Sequence, residues 1–316
     1  MQNIAFLLLD GHALMSTASA LEPLRAANQF RAGTYRITIL SGSDRAVSSI
    51  GSEFPALPFR ATPPDFDLVF VVAGGDPARV NDPALMAWLR EADRRGVALG
   101  GISGGAMILA RAGLLEGRRF TLHWHHYDDI AALPGEWLLE RRLFVIDRNR
   151  YTCAGGIAPL DMMHALIARE HGTGFAQRIS DWFIQTEIRG ADAPQMASIE
   201  ARYGVLPKVV AATLELMESH IADPLDQSQL AGLAGLSLRQ LQRQFRQEMG
   251  APVMEVYRRI RLEKAHELIA GTRLPLSEIA HLTGFASQSH FADRFRETYG
   301  HPPRALRDKK SPTSPK

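Results

Sequence analysis

The chain has 316 residues, 36 lysines and arginines against 34 aspartates and glutamates for a formal charge of +2, and one cysteine. That length calls for two domains of ordinary size. A single cysteine excludes an intramolecular disulfide framework and fits a reducing cytoplasm. No apolar run reaches the length of a membrane span, and Met1-Gln2-Asn3 lacks the basic start of a signal peptide.

From the N-terminus, short apolar runs alternate with amphipathic stretches. Ile4 to Leu9 predicts a strand, followed by Asp10-Gly11 and a helix over about Thr17 to Asn28. Tyr35 to Leu40 predicts a second strand. Leu68 to Ala73 is strongly β-forming and ends in Gly74-Gly75, and Asp82 to Arg95 has the pattern of an amphipathic helix. Val97 to Ile102 predicts another strand, running into Ser103-Gly104-Gly105 and an apolar helix from Ala106. Short buried strands separated by helices imply a doubly wound, parallel α/β sheet covered on both faces. In such a sheet the ligand site lies at the carboxyl ends of the strands.

The junction Gly101-Ile102-Ser103-Gly104-Gly105 fits the G-x-S-x-G turn that lifts a side chain above a sheet. Two chemistries remain open there. Ser103 is a nucleophile if His123, His125 or His126 serves as its base and Asp128 or Asp161 orients that base. Alternatively, the backbone N–H groups of Gly104 and Gly105 at a helix start hold a carboxylate, and Trp124 offers a ring face to a cationic head. Trp124, Trp137 and Trp182 also read as core residues, as do His164 on an apolar helical stretch and Cys153 on a strand. The histidines lack carboxylates at metal-site spacing, so neither a metal nor a cofactor is expected.

Arg189 to Leu206 is polar, with Gly190, Pro194 and Gly204, and reads as a linker. The expected organisation is a first domain over 1–188, the linker over 189–206, a second domain over 207–310 and a disordered tail over 311–316. Residues 1–206 carry a net charge of −2 and residues 207–316 a net charge of +4. The basic excess therefore lies in the second part, where it suits phosphate contact.

That second part contains one sentence written twice. Leu230-Ala231, Leu233, Gly235-Leu236-Ser237, Leu241, Phe245-Arg246, Gly250 and Pro252 return about fifty residues later as Ile279-Ala280, Leu282, Gly284-Phe285, Ser287, Phe291, Phe295-Arg296, Gly300 and Pro302. Each copy predicts a short helix ended by a left-handed glycine, a serine N-cap and a second helix stopped by glycine. Val253 to Ala270 predicts a long helix between them, carrying Arg258, Arg259, Arg261 and Lys264. The spacing is that of a duplicated helix-turn-helix, a device for reading DNA. In copy one, Arg239, Gln242, Arg243 and Arg246 share the face opposite Leu241 and Phe245, and arginine and glutamine match guanine and adenine edges. The face of copy two is poorer, with Ser289, Ala292, Asp293 and Arg296 flanked by Gln288 and His290. Both faces also read as ordinary solvated surfaces.

Arg261-Leu262-x-x-Ala265, Ile279-Ala280, Gly284-Phe285, Phe291, Phe295 and Gly300-His301-Pro302-Pro303 resemble the signature of AraC/XylS-type regulators, over about residues 207–306. The resemblance implies a seven-helix domain placing two helices in successive major grooves. It carries base contact to Arg239, Gln242 and Arg243, and then to Gln288, Ser289, His290 and Asp293. Gly74-Gly75, the Ser103 turn, Ala112-Gly113-Leu114-Leu115-Glu116-Gly117-Arg118, His123-Trp124 and Ala154-Gly155-Gly156 resemble the ThiJ/PfpI, glutamine-amidotransferase-like domain. Enzymatic members of that family carry a cysteine where this chain has Ser103, a glutamate near Ser16 and, in the protease-like members, a histidine at Gly104. Loss of these groups implies a retired pocket that senses a small effector through Ser16, Gly75, Ser103, Gly104, Gly105, His123 and Trp124. Thr152-Cys153-Ala154-Gly155-Gly156 to Asp161-Met162-Met163 is similar to the subgroup that responds to arginine, carnitine or glycine betaine. The expected function is a cytoplasmic, homodimeric activator that binds operator DNA and RNA polymerase under effector control. Two other readings stay open: a Ser103-dependent hydrolase that also binds DNA, and a DNA-binding protein whose first domain only dimerises.

Overall fold

The computed structural model describes residues 1–196, 199–271 and 274–308, in two units, Met1–Met196 and Ala197–Lys316. The tail expected to be disordered, 311–316, lies outside the described residues.

In the first unit β1 (Gln2–Leu8) leads into α1 (Leu14–Phe30), and β2 (Tyr35–Ser41) returns parallel to β1. The helix is longer than the Thr17–Asn28 expected and runs through Pro23, because Ser16, Thr17, Ala20, Leu24 and Ala27 bury one continuous face. A short antiparallel hairpin of β3 (Arg45–Val47) and β4 (Glu53–Pro55) follows, then the two-residue β5 (Leu57–Pro58). Next come β6 (Leu68–Ala73), α2 (Pro83–Arg94), β7 (Ala98–Ser103) and α3 (Gly105–Arg111). The unit continues with β8 (Arg119–Phe120), α4 (Tyr127–Ala131), β9 (Leu138–Leu139), β10 (Phe144–Asp147), β11 (Arg150–Cys153), α5 (Ala158–His171) and α6 (Thr173–Trp182).

Seven strands form one sheet in the order β10-β11-β7-β6-β1-β2-β5, parallel except at the β10–β11 edge. Alternation along the strands sends Ile4, Phe6, Leu8, Leu68, Phe70 and Val72 to one face, with side chains of α1, α5 and α6. Ala5, Leu7, Val69, Val71 and Ala73 go to the other, with α2 and α3. The α1 helix thus leaves β1 for one face, while α2 leaves the neighbouring β6 for the opposite face. This is a topological switch point, and the crevice of such a sheet opens there, beyond the carboxyl ends of the two strands.

The second unit is all helical: α7 (Ile199–Tyr203), α8 (Lys208–Ser219), α9 (Gln227–Leu233), α10 (Leu238–Met249), α11 (Val253–Gly271), α12 (Leu276–Leu282), α13 (Gln288–Tyr299) and α14 (Pro303–Asp308). It has two small cores joined by one helix. Val253, Val256, Tyr257 and Ile260 of α11 join α8, α9 and α10. Leu262, Ala265, Leu268 and Ile269 of the same helix join α12 and α13.

The segment expected to be a linker is held by bonds in its first part and by burial further on. Arg189 pairs with Asp161 at 2.6 Å, and the Ala191 carbonyl accepts from Leu143 N–H at 3.1 Å. Further on, Ile199 is buried in the core of the second unit.

Candidate functional site

Ser103 ends β7 with φ 58°, a left-handed backbone that a serine adopts only when its surroundings impose it. Its side chain is buried. Glycines make the turn possible by close approach. A side chain on Gly105 would overlap the Val71 carbonyl, and one on Gly104 would lie 2.7 Å from Pro77 Cγ. Gly155 comes from β11 so near that its Cβ would lie 2.6 Å from the Ser103 Cβ. Internal packing alone therefore requires glycine at 104 and 105. Gly104 N–H already donates to the Ala73 carbonyl at 3.1 Å, so the two-amide cradle expected at this turn loses one donor.

Ser16, buried at the start of α1, accepts a 2.8 Å hydrogen bond from Gly156 N–H. It fastens the loop over Ser103 to α1. Gly75 has φ +64° and follows Gly74, whose Cβ would lie 2.6 Å from the Gly11 carbonyl oxygen and 3.0 Å from Ala13 N. The ends of β1, β6, β7 and β11 therefore meet around Gly74, Ser103 and Gly155. Cys153 is the residue that sequence placed on a buried strand; it is buried, and burial pushes its thiol up to about 12. It carries no thiolate near neutral pH.

His123 and Trp124 lie in a separate turn. His123 caps that turn: its Nδ1 accepts the His125 N–H at 3.2 Å, which leaves Nε2 as the protonated nitrogen. Burial, followed by the charges of His126 and His125, lowers the His123 pKa to about 4, so the ring is a neutral donor. Of the acids considered as histidine orienters, Asp161 is excluded. It is 1% exposed and accepts from Arg189 N, Nε and Nη2 and from Gln185 Nε2. The Asp128 side chain lies outside the described residues. Asp129 meets one of these candidate bases, at 2.9 Å from His126 Nδ1. Trp182, expected in the core, is 49% exposed and meets Phe30 edge-on.

In the second unit Gly235 and Gly284 take φ +66° and +70°. Ser237 caps α10 in a reciprocal box with Gln240, and Ser287 caps α13 through His290 N–H. Gly250 and Gly300 close those helices at φ 68° and 75°. Leu241 and Phe245 are buried, which leaves Arg239, Arg243 and Arg246 exposed and Gln242 half-buried on the other side of α10. None of these three guanidiniums pairs with a carboxylate among the described residues. On α13 Gln288, Ser289, His290, Asp293 and Arg296 are exposed, and Asp293 lies 3.5 Å from Arg296. Arg261, one of the spacer cations, faces inward: it donates to the Thr283 and Gly284 carbonyls and lies 4.3 Å over the Phe285 ring.

Residues 2–169 match the DJ-1/PfpI family and residues 230–309 match the helix-turn-helix domain family. The chain is 42% identical to the HTH-type transcriptional regulator GlxA of Rhizobium meliloti, across 97% of this chain and 95% of that one. The chain belongs to the HTH-type transcriptional regulators with a DJ-1/PfpI domain. Another such regulator, CdhR of Pseudomonas aeruginosa, is 38% identical across 99% of this chain and 94% of its own. An AraC family transcriptional regulator from Pseudomonas putida superposes with a TM-score of 0.53 at 28% identity, covering 58% of this chain and 100% of that one. As a regulator of this family the chain binds DNA, and α10 and α13 are the second helices of its two helix-turn-helix units.

Sequence reasoning missed two residues near the Trp124 turn and the strand ends. Gln195 accepts from Trp124 N–H at 2.8 Å and donates to Thr121 Oγ1, the Leu122 carbonyl and the Arg142 carbonyl. His12 is completely buried beside Gly74. Neither belongs to a motif, so no local pattern marks either one.

Proposed function

We propose that the DJ-1/PfpI unit is a retired enzyme pocket that senses a small zwitterionic effector and sets operator binding by the helix-turn-helix unit. The observation that carries this reading is the serine elbow at the sheet ends. It keeps the strained geometry of a nucleophile turn, while the acid position and two of the other groups such chemistry would draw on are committed elsewhere. Ser16 stands in the place of the acid and is bonded to Gly156, Asp161 is committed to Arg189, and the single thiol is buried and protonated. A serine hydroxyl without a base and an oriented acid is a poor nucleophile near neutral pH. Strain kept without chemistry suits a binding turn.

The proposed effector contacts are Ser16, Gly75, Ser103, Gly104, Gly105, His123 and Trp124, with Gly104 lining the site without donating its N–H and His123 supplying a neutral N–H to an anion. The proposed base readers are Arg239, Gln242, Arg243 and Arg246, then Gln288, Ser289, His290, Asp293 and Arg296. A charge of only +4 over residues 207–316 gives modest phosphate attraction. Tight occupancy then calls for a homodimer on paired half-sites, acting in the cytoplasm as an activator in contact with RNA polymerase.

The test combines binding with turnover on the purified full chain. Isothermal titration with small amino acids, guanidino acids and quaternary amines should find a ligand whose presence changes operator affinity in gel shifts. No esterase, amidase or peptidase turnover should be abolished by Ser103→Ala. Turnover that disappears in a folded Ser103→Ala protein would establish the hydrolase reading instead.

A further inference from the structure

One buried polar side chain at the switch point has no role in anything described above. His12 follows β1 at the switch point and is 0% exposed, with its backbone against Gly74 at the end of β6. The β3–β4 hairpin covers it. Ser49 N–H donates to the His12 carbonyl at 2.8 Å, Gly11 N–H donates to the Val47 carbonyl at 2.8 Å, and the Phe54 ring meets the imidazole edge-on at 5.4 Å.

The tautomer of His12 follows from its neighbours. Its Nδ1 lies 2.7 Å from Thr17 Oγ1, and the same oxygen lies 3.0 Å from the Ala13 carbonyl. A carbonyl only accepts, so the single hydroxyl proton of Thr17 points to Ala13, and Thr17 accepts from His12 Nδ1–H. The proton of the neutral ring is thereby fixed on Nδ1, and Nε2 is a bare lone pair. That nitrogen is buried with no hydrogen-bond partner among the described residues. Burial, the dominant effect, keeps the ring neutral, while the charge of nearby Asp10 acts the other way. Asp10 is exposed and anchored by Val47 N–H at 3.0 Å.

A buried acceptor left unpaired costs stability unless something donates to it. The two features specify a donor: a lone pair seeks an N–H or O–H, and the neighbouring carboxylate of Asp10 favours a positive one. We propose that Nε2 of His12 accepts a hydrogen bond from an N–H of the effector's cationic group, a primary or secondary ammonium or a guanidinium, bound in the β1–β6 crevice. This rests on the reading of that crevice as the effector site. It sharpens the reading by excluding fully N-methylated cations, which have no proton to give.

The test uses the full chain and a graded set of probes: glycine, N-methylglycine, N,N-dimethylglycine, N,N,N-trimethylglycine and arginine. Calorimetry on wild type should show affinity falling as N–H groups are replaced, with the trimethylated compound weakest. In His12→Phe, which keeps the packing on Phe54, affinity for the N–H probes should fall by about tenfold or more, the loss of one buried hydrogen bond. His12→Gln, which retains an acceptor, should recover part of it. Because His12→Phe also deletes the Nδ1–H bond to Thr17, the decisive comparison is between probes: an equal loss of affinity for all five, trimethylglycine included, marks a purely structural histidine and overturns the proposal. Trimethylglycine binding as tightly as glycine, with no change in His12→Phe, overturns it while leaving the crevice as the effector site. Failure of every probe to bind wild type overturns both.

Discussion

A histidine whose pKa is lowered to about 4 in the folded chain makes stability depend on pH, and His123 is such a residue. Its ordinary value is about 6.5, so between these two values the unfolded state binds a proton that the folded state refuses. Stability is therefore full above pH ~6.5 and falls as pH drops towards 4. His12 and His164, both lowered chiefly by burial, act with the same sign. Urea unfolding of the full chain between pH 7 and 4.5 should show this decline, and His123→Gln should flatten it. An unchanged slope in that variant would mean the His123 ring is solvated. On the DNA side a single side chain is again the unit of argument. Arg243 is exposed and has no carboxylate partner among the described residues, so its guanidinium is available to a base edge. Arg243→Ala should cost roughly 1–3 kcal/mol of specific affinity and relax preference at one base pair. A phosphate-only role for Arg259 predicts that Arg259→Ala weakens specific and random DNA alike. Gel shifts on an operator selected from random DNA separate the two outcomes.

The two helix-turn-helix elements share a sequence pattern but differ in surroundings, and their turn glycines expose the difference. Gly235 has φ +66° with nothing near its missing Cβ, so alanine there meets only backbone strain of about 1–2 kcal/mol. Gly284 has φ +70° and would place a Cβ 2.5 Å from Pro224 Cγ and 2.6 Å from the Ile221 carbonyl oxygen. Gly284→Ala should therefore destabilise the second unit clearly more than Gly235→Ala, as read by chemical unfolding; equal costs would show that the loop at 221–224 yields freely. The same contrast explains what was legible in the sequence. Glycine turns, serine caps and the i, i+4 phenylalanines are local features, and each could be read from residues within a turn or two. The alternating strands β1, β6 and β7 were legible because two-sided burial leaves an apolar run. The β3–β4 hairpin was not, since three-residue strands have no period to detect. The inward turn of Arg261 was equally hidden: its acceptors lie 22 and 23 residues away, and a cation on a helix reads by default as a solvated one. His12 and Gln195 were missed for the same reason, because burial and distant partners give them their meaning.

At the scale of the whole molecule the question is how an event in the first unit reaches the chain that leads to the second. The stretch leaving the first unit is fastened at two places to elements of the proposed sensor. Asp161, in the first turn of the helix that follows the Gly155-Gly156 loop, holds Arg189 from a 1% exposed position. Gln195 lies six residues further on and one before the end of the unit, and it holds the backbone of Trp124 from 71 positions away. Coupling requires an element with two arrangements that both sites bias, and the 185–196 stretch is the element touched from both sides of the sensor. Gln195→Met keeps the side-chain length and deletes the amide that makes its hydrogen bonds. It should deprotect the amides of residues 121–124 in hydrogen exchange, because Trp124 N–H loses its acceptor. Asp161 and Arg189 are untouched, so the fold should persist, and operator binding without effector should stay within about twofold, the usual limit for a change that touches no DNA contact. The effector-dependent shift in operator affinity, measured by gel shift with the ligand found in the titration screen, should collapse. If amide exchange at 121–124 rises and the shift survives intact, the signal travels through the Asp161–Arg189 pair alone. Asp161→Asn is then the variant that must abolish it.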